Sequence, residues 1–374
     1  MESNWCRCTK CHAGYGKEDD TFDFMDDAAV DCLVCHDQTG KYAGSKGECG
    51  YTDGSVNLLE VAQSVGKPTR SNCGSCHWYG GGGNNVKHGD MDAALADPSR
   101  EHDVHMGGMD FQCQDCHTTE NHKIAGRSTT SSVSEGPVAC TDCHDSRPHD
   151  KSSAMLSKLN DHTHTVSCEA CHIPEYAKDA PTTTLWDWSQ SGREDKVLEN
   201  KGKKKRILSK KKGLLIREKN LTPEYEWYNG THKRYLKGDP INREAGTQIN
   251  PPQGDIHDPE AKITPYKIMK GVEPADPVNG HLIVPKLFGD GGYFETYDWI
   301  DTSEKGMASA GLDFSGEVIF VETIMHWRLN HQVAPKEEAL SCLDCHGCDK
   351  VMNFRALGYE GDPANVGGRS AGRQ

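Results

Sequence analysis

Apolar residues in this chain come in short runs that glycine, proline and charged residues keep interrupting. Asp90-Met91-Asp92-Ala93-Ala94-Leu95-Ala96 predicts a brief helix stopped before Pro98, and Lys151 to Leu159 predicts a second. Gly213-Leu214-Leu215-Ile216, His281-Leu282-Ile283-Val284 and Glu317-Val318-Ile319-Phe320-Val321 read as short strands. The stretch that holds them opens with Pro181-Thr182-Thr183-Thr184-Leu185-Trp186-Asp187-Trp188. No run reaches the roughly 18 apolar residues that a bilayer-spanning helix needs.

Composition turns this pattern into a deficit. A chain of 374 residues ordinarily builds about two or three domains around aliphatic cores. This one is only 35% hydrophobic, contains 39 glycines and has a mean hydropathy of -0.73. Something other than side chains has to supply the interior.

The cysteines say what. Fourteen of the 17 fall into seven Cys-x-x-Cys pairs, and a histidine follows every pair. The motifs are Cys8, Cys11 and His12; Cys32, Cys35 and His36; Cys73, Cys76 and His77; Cys113, Cys116 and His117; Cys140, Cys143 and His144; Cys168, Cys171 and His172; and Cys342, Cys345 and His346. Cys-x-x-Cys-His is the attachment signature of a c-type haem. Two thiols one helical turn apart can bond the vinyl carbons of one porphyrin, and the next residue then offers its imidazole to the iron. Paired Cys-x-x-Cys also makes zinc sites, but zinc has no reason to demand histidine straight after the second cysteine. A disulfide framework suits this spacing less well. The cofactor expected is therefore covalently bound haem c, seven per chain.

Seven porphyrins would supply the missing apolar core. The expected fold is a multihaem cytochrome c, mostly irregular, with short α-helices wrapped round haem and a few short β-strands in the haem-free segment. The motif positions divide the chain into a haem-dense part at 1–180, a haem-free segment at 181–335, and a C-terminal helix with the seventh haem and a mobile tail at 336–374. The four glycines at 80–83 allow either a close backbone approach to a porphyrin or a flexible loop.

The net charge of -14 would double with two propionates per haem, which argues against nucleic acid as a partner. Against that balance, eight Lys or Arg residues lie between Lys201 and Lys212. They read either as a docking patch for an acidic donor or anionic substrate, or as an exposed hairpin whose charge keeps its edge from pairing. Haem c is attached outside the cytoplasm, so export to the periplasm or beyond is expected. Met1-Glu2-Ser3-Asn4 nevertheless has neither a basic n-region nor an apolar h-region, which suggests a fragment or a start codon placed too late.

Twelve histidines remain beyond the motifs: His88, His102, His105, His122, His149, His162, His164, His232, His257, His281, His326 and His331. They exceed the seven needed for second axial positions. A second imidazole makes a relay centre, whereas substrate chemistry needs an iron whose partner is weak or displaceable. Cys6, Cys49 and Cys348 are left over; a Cys6–Cys49 disulfide, contact with a sulfur substrate and free thiols all remain open.

Several longer stretches resemble the octahaem tetrathionate reductase family. They include Cys11-His12-Ala13-Gly14-Tyr15-Gly16, Val30-Asp31-Cys32-Leu33-Val34-Cys35-His36-Asp37, Trp78-Tyr79-Gly80-Gly81-Gly82, Val86-Lys87-His88-Gly89-Asp90, Asp103-Val104-His105-Met106-Gly107, Leu159-Asn160-Asp161-His162, Trp186-Asp187-Trp188-Ser189 and Asn330-His331-Gln332-Val333-Ala334-Pro335-Lys336. The resemblance implies His88, His105, His122, His149, His162 and His331 as second ligands of relay haems, with His102 and His326 peculiar to this chain. It implies a reactive haem on Cys8, Cys11 and His12, with a lysine on its iron. Lys41 is the candidate and Lys46 the fallback. The family has eight haems, so the first haem segment is missing from the front.

By the same resemblance the chain would be a periplasmic reductase that adds two electrons to the central S–S bond of tetrathionate and releases two thiosulfates. Nitrite and hydroxylamine are further substrate expectations. Its partners would be a redox donor such as a quinol dehydrogenase or periplasmic cytochrome, and a small sulfur or nitrogen oxyanion. The alternative is an electron conduit without substrate, as a soluble carrier, a homo-oligomer or a subunit of an extracellular filament.

Overall fold

The computed structural model describes residues 4, 11, 13, 14, 16, 21–23, 25–42, 48–52, 54–127, 136 and 138–369. Cys6, Cys8, His12 and Lys46 lie outside the described residues.

The described motif helices are one or two turns long, and several are started by a local cap. Asp31 accepts the Leu33 N–H at 3.2 Å and opens Cys32–His36. Thr69 and Asn72 form a reciprocal capping box ahead of Arg70–His77. Ser341 and Asp344 do the same for Cys342–His346. Such caps satisfy the first free N–H groups of helices too short to be stable alone. The expected helix at 90–96 is a 3-10 turn over Ala93–Ala96, opened by Asp92. The second, Ala154–His162, begins three residues later than the pattern suggests, because Ser153 caps it through the Leu156 N–H.

The haem-free segment is more ordered than a few short strands. After a two-stranded hairpin, β1 (Thr119–Glu120) and β2 (Lys123–Ile124), nine strands build one sheet. They are β3 (Thr182–Asp187), β4 (Lys196–Lys201), β5 (Lys204–Ser209), β6 (Gly213–Glu218), β7 (Glu224–Tyr228), β8 (Thr247–Gln248), β9 (Lys262–Asp276), β10 (His281–Leu282) and β11 (Ile319–Arg328). The main order is β4-β5-β6-β3-β9-β11-β8, with β7 and β10 also on β9. β9 and β11 pair antiparallel without a break from Ile319 opposite Ala275 to Arg328 opposite Tyr266.

The lysine-rich stretch falls on β4, β5 and the turn that follows, with β4 at the sheet edge, as the exposed-hairpin reading expects. Lys210 and Lys211 lie over the rings of Tyr297 and Phe294 at 4.9 and 5.8 Å.

Buried side chains form several small clusters. One joins Trp227, Ile263, Met352, Phe354, Leu357 and Tyr359, and another joins Val86, Trp186, Leu215, Met269 and Trp327. The first corrects the expected mobile tail over its described residues, which end at 369. Leu357 and Tyr359 are core residues, the Trp227 indole donates to the Leu357 carbonyl at 2.8 Å, and Arg369 donates to the carbonyls of Asp258 and Ala261. Glycine-rich composition had hidden the apolar residues that anchor this segment.

The sheet also carries the haem-dense part. Backbone bonds link Ser167 and Thr165 to Ile263, and Arg328 makes a 2.7 Å ion pair with Glu169, inside the motif at 168–172. Among the described residues no helix is long and apolar enough to cross a membrane.

Candidate haem and electron-transfer site

Five motif histidines face five of the remaining histidines. Ring centroids are 6.4 Å apart for His36 and His122, 6.1 Å for His144 and His105, 6.3 Å for His117 and His331, 6.5 Å for His172 and His149, and 6.3 Å for His346 and His162. Imidazole nitrogens bind first-row metals at roughly 2.0–2.1 Å, so two rings on opposite sides of one ion have centroids a little over 6 Å apart. The spacing therefore fits an iron between each pair. His77 and His88 line the same cavity, and the charge of His77 bears on His88.

The outer ring nitrogens hold the pairs in register. Nδ1 of His36 hydrogen-bonds to the Gly66 carbonyl at 2.8 Å, that of His117 to Ala125 at 2.7 Å, and that of His162 to Lys158 at 2.9 Å. His149 uses the Asn160 side chain, His331 uses Asp90 and His346 uses Asp362. With Nδ1 engaged as a donor, Nε2 carries the lone pair toward the metal. Burial keeps His77, His117 and His172 below their ordinary pKa and pushes His88 to about 4, so these rings are neutral and able to ligate. For His331 burial alone would act the same way, but the Asp90 hydrogen bond and charge outweigh it and hold the ring above its ordinary value.

Two buried aspartates shape the peptide that carries ligands. Asp103 Oδ1 accepts the N–H groups of His105 and Met106, both at 2.9 Å, while Oδ2 accepts those of Gln332 and Val333 at 2.9 and 3.2 Å. One carboxylate thus seats the loops of His105 and His331 together. Asp90 Oδ2 takes Asn330 N, His331 N and His331 Nδ1. The fully buried Lys267 donates from Nζ to the Val86 carbonyl at 3.1 Å and to the Lys87 carbonyl, fixing the backbone before His88. Gly89 follows at φ +96°, and a Cβ there would stand 2.9 Å from Lys267 and 3.0 Å from Tyr176. No spacing rule marks these residues, because they act through backbone groups remote in sequence.

Thiols of successive motifs meet. Cys35 lies beside Cys73 and Cys76, Cys73 beside Cys113, Cys116 near Cys143, Cys140 beside Cys168, and Cys171 near Cys342 and Cys345. Attachment points therefore form one row in chain order from Cys35 to Cys345. A continuous cavity of about 3100 Å³ runs past the last five of these motifs. The segment after His12 joins the near end: Ala13 accepts the Asp31 N–H at 3.2 Å, and Gly14 bridges to Val30.

Among the described residues Lys41 is paired with Glu60. Its Nζ lies 2.8 Å from Glu60, the side chain is 60% exposed, and the hydrogen bond to that carboxylate raises its pKa. An ammonium has no lone pair for iron. Tyr42, in contrast, is buried against Asp31 and Asp37. His326 sits between Glu226 and Gln248 at 2.8 and 2.7 Å, and the Tyr266 hydroxyl bonds to His232, so neither histidine faces a motif. His102 lies 3.9 Å from Asp92. Cys49 is disulfide-bonded.

The ring planes make a spectroscopic prediction. They are near perpendicular for His36/His122 (76°) and His105/His144 (69°), and closer to parallel for His149/His172 (11°) and His117/His331 (29°). Crossed imidazoles leave two iron orbitals close in energy, and parallel ones split them. EPR of the oxidised protein is expected to show both strongly anisotropic and ordinary rhombic low-spin signals; a spectrum with one class alone contradicts these angles.

Comparison with known proteins agrees with this geometry. The family "Cytochrome c bacterial" matches residues 183–349, and "Cytochrome c7 and related cytochrome c" matches residues 98–183. The crystal structure of octaheme cytochrome c from Shewanella oneidensis superimposes with a TM-score of 0.87 at 44% identity, covering 97% of this chain and 82% of that one. An uncharacterized protein of Archaeoglobus fulgidus is 30% identical over 129 residues, which is 29% of this chain and 42% of that protein's length. The chain belongs to the multihaem c-type cytochromes, redox proteins that carry covalently bound haem c.

Proposed function

We propose that this cytochrome is a reductase of the tetrathionate reductase type, in which six bis-histidine centres feed a seventh held by Cys8, Cys11 and His12. When bound, haem supplies reversible one-electron transfer at each centre. The observation that carries the reading is the row of attachment points in chain order, continued toward the N-terminal motif by the pinning of Ala13 and Gly14 on Val30 and Asp31. A row suits a two-electron cleavage of an S–S bond, because neighbouring centres can deliver both electrons without a free radical leaving. Six second histidines serve six motifs, and the N-terminal motif is assigned a lysine from the loop after His36.

That lysine is Lys41 released from Glu60, or Lys46. Leaving Glu60 breaks only an exposed ion pair, and binding iron also requires the Lys41 ammonium to give up its proton. The protein would work in the periplasm, take electrons from a quinol dehydrogenase or a periplasmic cytochrome, and act on tetrathionate, nitrite or hydroxylamine.

The Lys41–Glu60 pair favours a second reading, a conduit without substrate in which the N-terminal centre is one more relay, alone or in a homo-oligomer or filament. Dye-linked turnover of the haem-loaded protein with the three substrates separates the two. The reductase reading expects turnover that Lys41→His or Lys46→His abolishes while the reduced c-type spectrum persists. Absence of turnover with all three, together with the absence of every high-spin or lysine-type EPR signal, selects the conduit.

A further inference from the structure

Six axial imidazoles have a described hydrogen-bond partner at Nδ1, and its chemistry changes along the row. Four of these partners are neutral: the carbonyls of Gly66, Ala125 and Lys158, and the Asn160 amide oxygen. Two are carboxylates, Asp90 on His331 at 3.1 Å and Asp362 on His346 at 2.6 Å.

The carboxylates are not equivalent. Asp90 divides one oxygen among three donors, the N–H groups of Asn330 (2.7 Å) and His331 (3.0 Å) and the His331 ring, and the buried Lys267 stands in its field. Asp362 Oδ1 serves two, the His346 ring and the Ala364 N–H at 2.9 Å, where it opens the helix Pro363–Val366. Its contact with the ring is the shortest of the six.

A carboxylate on Nδ1 drives electron density through the ring to Nε2 and places negative charge near the metal. Both effects favour the more positive, oxidised iron, and a neutral carbonyl does this less. We propose that Asp362 makes the His162/His346 centre the lowest-potential station of the row, that Asp90 makes the His117/His331 centre the next, and that an external one-electron donor therefore delivers at the C-terminal end. Each electron taken up oxidises the donor by one unit and reduces one centre, then passes along the row toward His36, with one uphill step at the His117/His331 centre on the way. The inference rests on the bis-histidine reading above.

Position supports the direction. The row ends at this motif, and the motif reaches the surface: Leu343 is 76% exposed and Cys342 is exposed as well. An entry port needs both a low potential and an edge near solvent.

The test is an equilibrium redox titration of the haem-loaded protein, followed by visible and EPR spectra. Asp362→Asn preserves size and the cap on Ala364 but removes the charge. The lowest-potential transition is expected to rise about tenfold in the reduced-to-oxidised ratio at a fixed potential, which is 59 mV for a one-electron couple. Asp362→Glu should keep it low, and Asp90→Asn should raise a different transition by less. Unchanged potentials in Asp362→Asn, or a shift confined to a transition other than the lowest, overturn the assignment. Should that variant not accumulate, the wild type decides: the low-spin signal of the His162/His346 pair, with its 54° ring angle, must be the last to be reduced. Absence of any low-spin signal from that pair in the oxidised wild type would instead defeat the bis-histidine reading, and this inference with it.

Discussion

With Cys73, Cys76, Cys113, Cys116, Cys140, Cys143, Cys168, Cys171, Cys342 and Cys345 all changed to serine, the chain is expected not to fold. All of them but Cys76 line the cavity of about 3100 Å³, the space that attached porphyrin would fill. Left empty it would fill with water, and the apolar wall that porphyrin would cover loses burial worth about 25 cal/mol per Å². Net stabilities are only about 5–15 kcal/mol. The side chains cannot make up the difference, because the buried clusters are small. Far-UV circular dichroism and limited proteolysis of the substituted chain, compared with the haem-loaded protein, check this. A cooperative thermal transition in the haem-free chain would show that the nine-stranded sheet folds without the cofactor.

Asp103→Ala carries the second large effect. Asp103 is 2% exposed and accepts four backbone N–H groups from two loops. Removing its carboxylate leaves those donors short of partners in a site where water is scarce. Each buried unsatisfied group costs roughly 1–3 kcal/mol, so a loss of about 3–5 kcal/mol is expected after relaxation. The effect should also be spectroscopic, because the same loops present His105 to His144 and His331 to His117. High-spin iron, or new carbon monoxide binding by the reduced protein, is expected at those two centres and not at His172 or His346. Asp103→Asn offers one accepting oxygen in place of two and should fall between. A denaturation midpoint for Asp103→Ala within about 1 kcal/mol of wild type would refute the clamp.

The motifs were legible because covalent attachment needs two thiols and a histidine at one spacing, which periodicity and composition cannot imitate. The sheet was much less so. β9 runs 15 residues through Pro265, Gly271 and Pro274 and buries Lys267, so neither alternation nor β-branched content announces it. The twelve-residue helix Trp299–Ala310 was not marked either, with a glycine in its interior. Asp362 precedes Pro363 in a helix-start pattern, yet nothing local says that its carboxylate faces a histidine 16 residues earlier. Lys41 was placed by resemblance alone, and the nearest opposite charge, Glu60, decided its rotamer.

Local chemistry therefore settled what the chain carries: thiol pairs and adjacent imidazoles are neighbours in sequence, and their bonding rules are short-ranged. Which imidazole faces which, the order of the centres in space, and the charge behind each ring belong to the tertiary structure. Those properties arise where loops far apart in the chain, such as 102–106 and 330–334, are drawn onto one buried carboxylate. A charge out of water must find its partners wherever the fold supplies them, and no rule of spacing reaches that far.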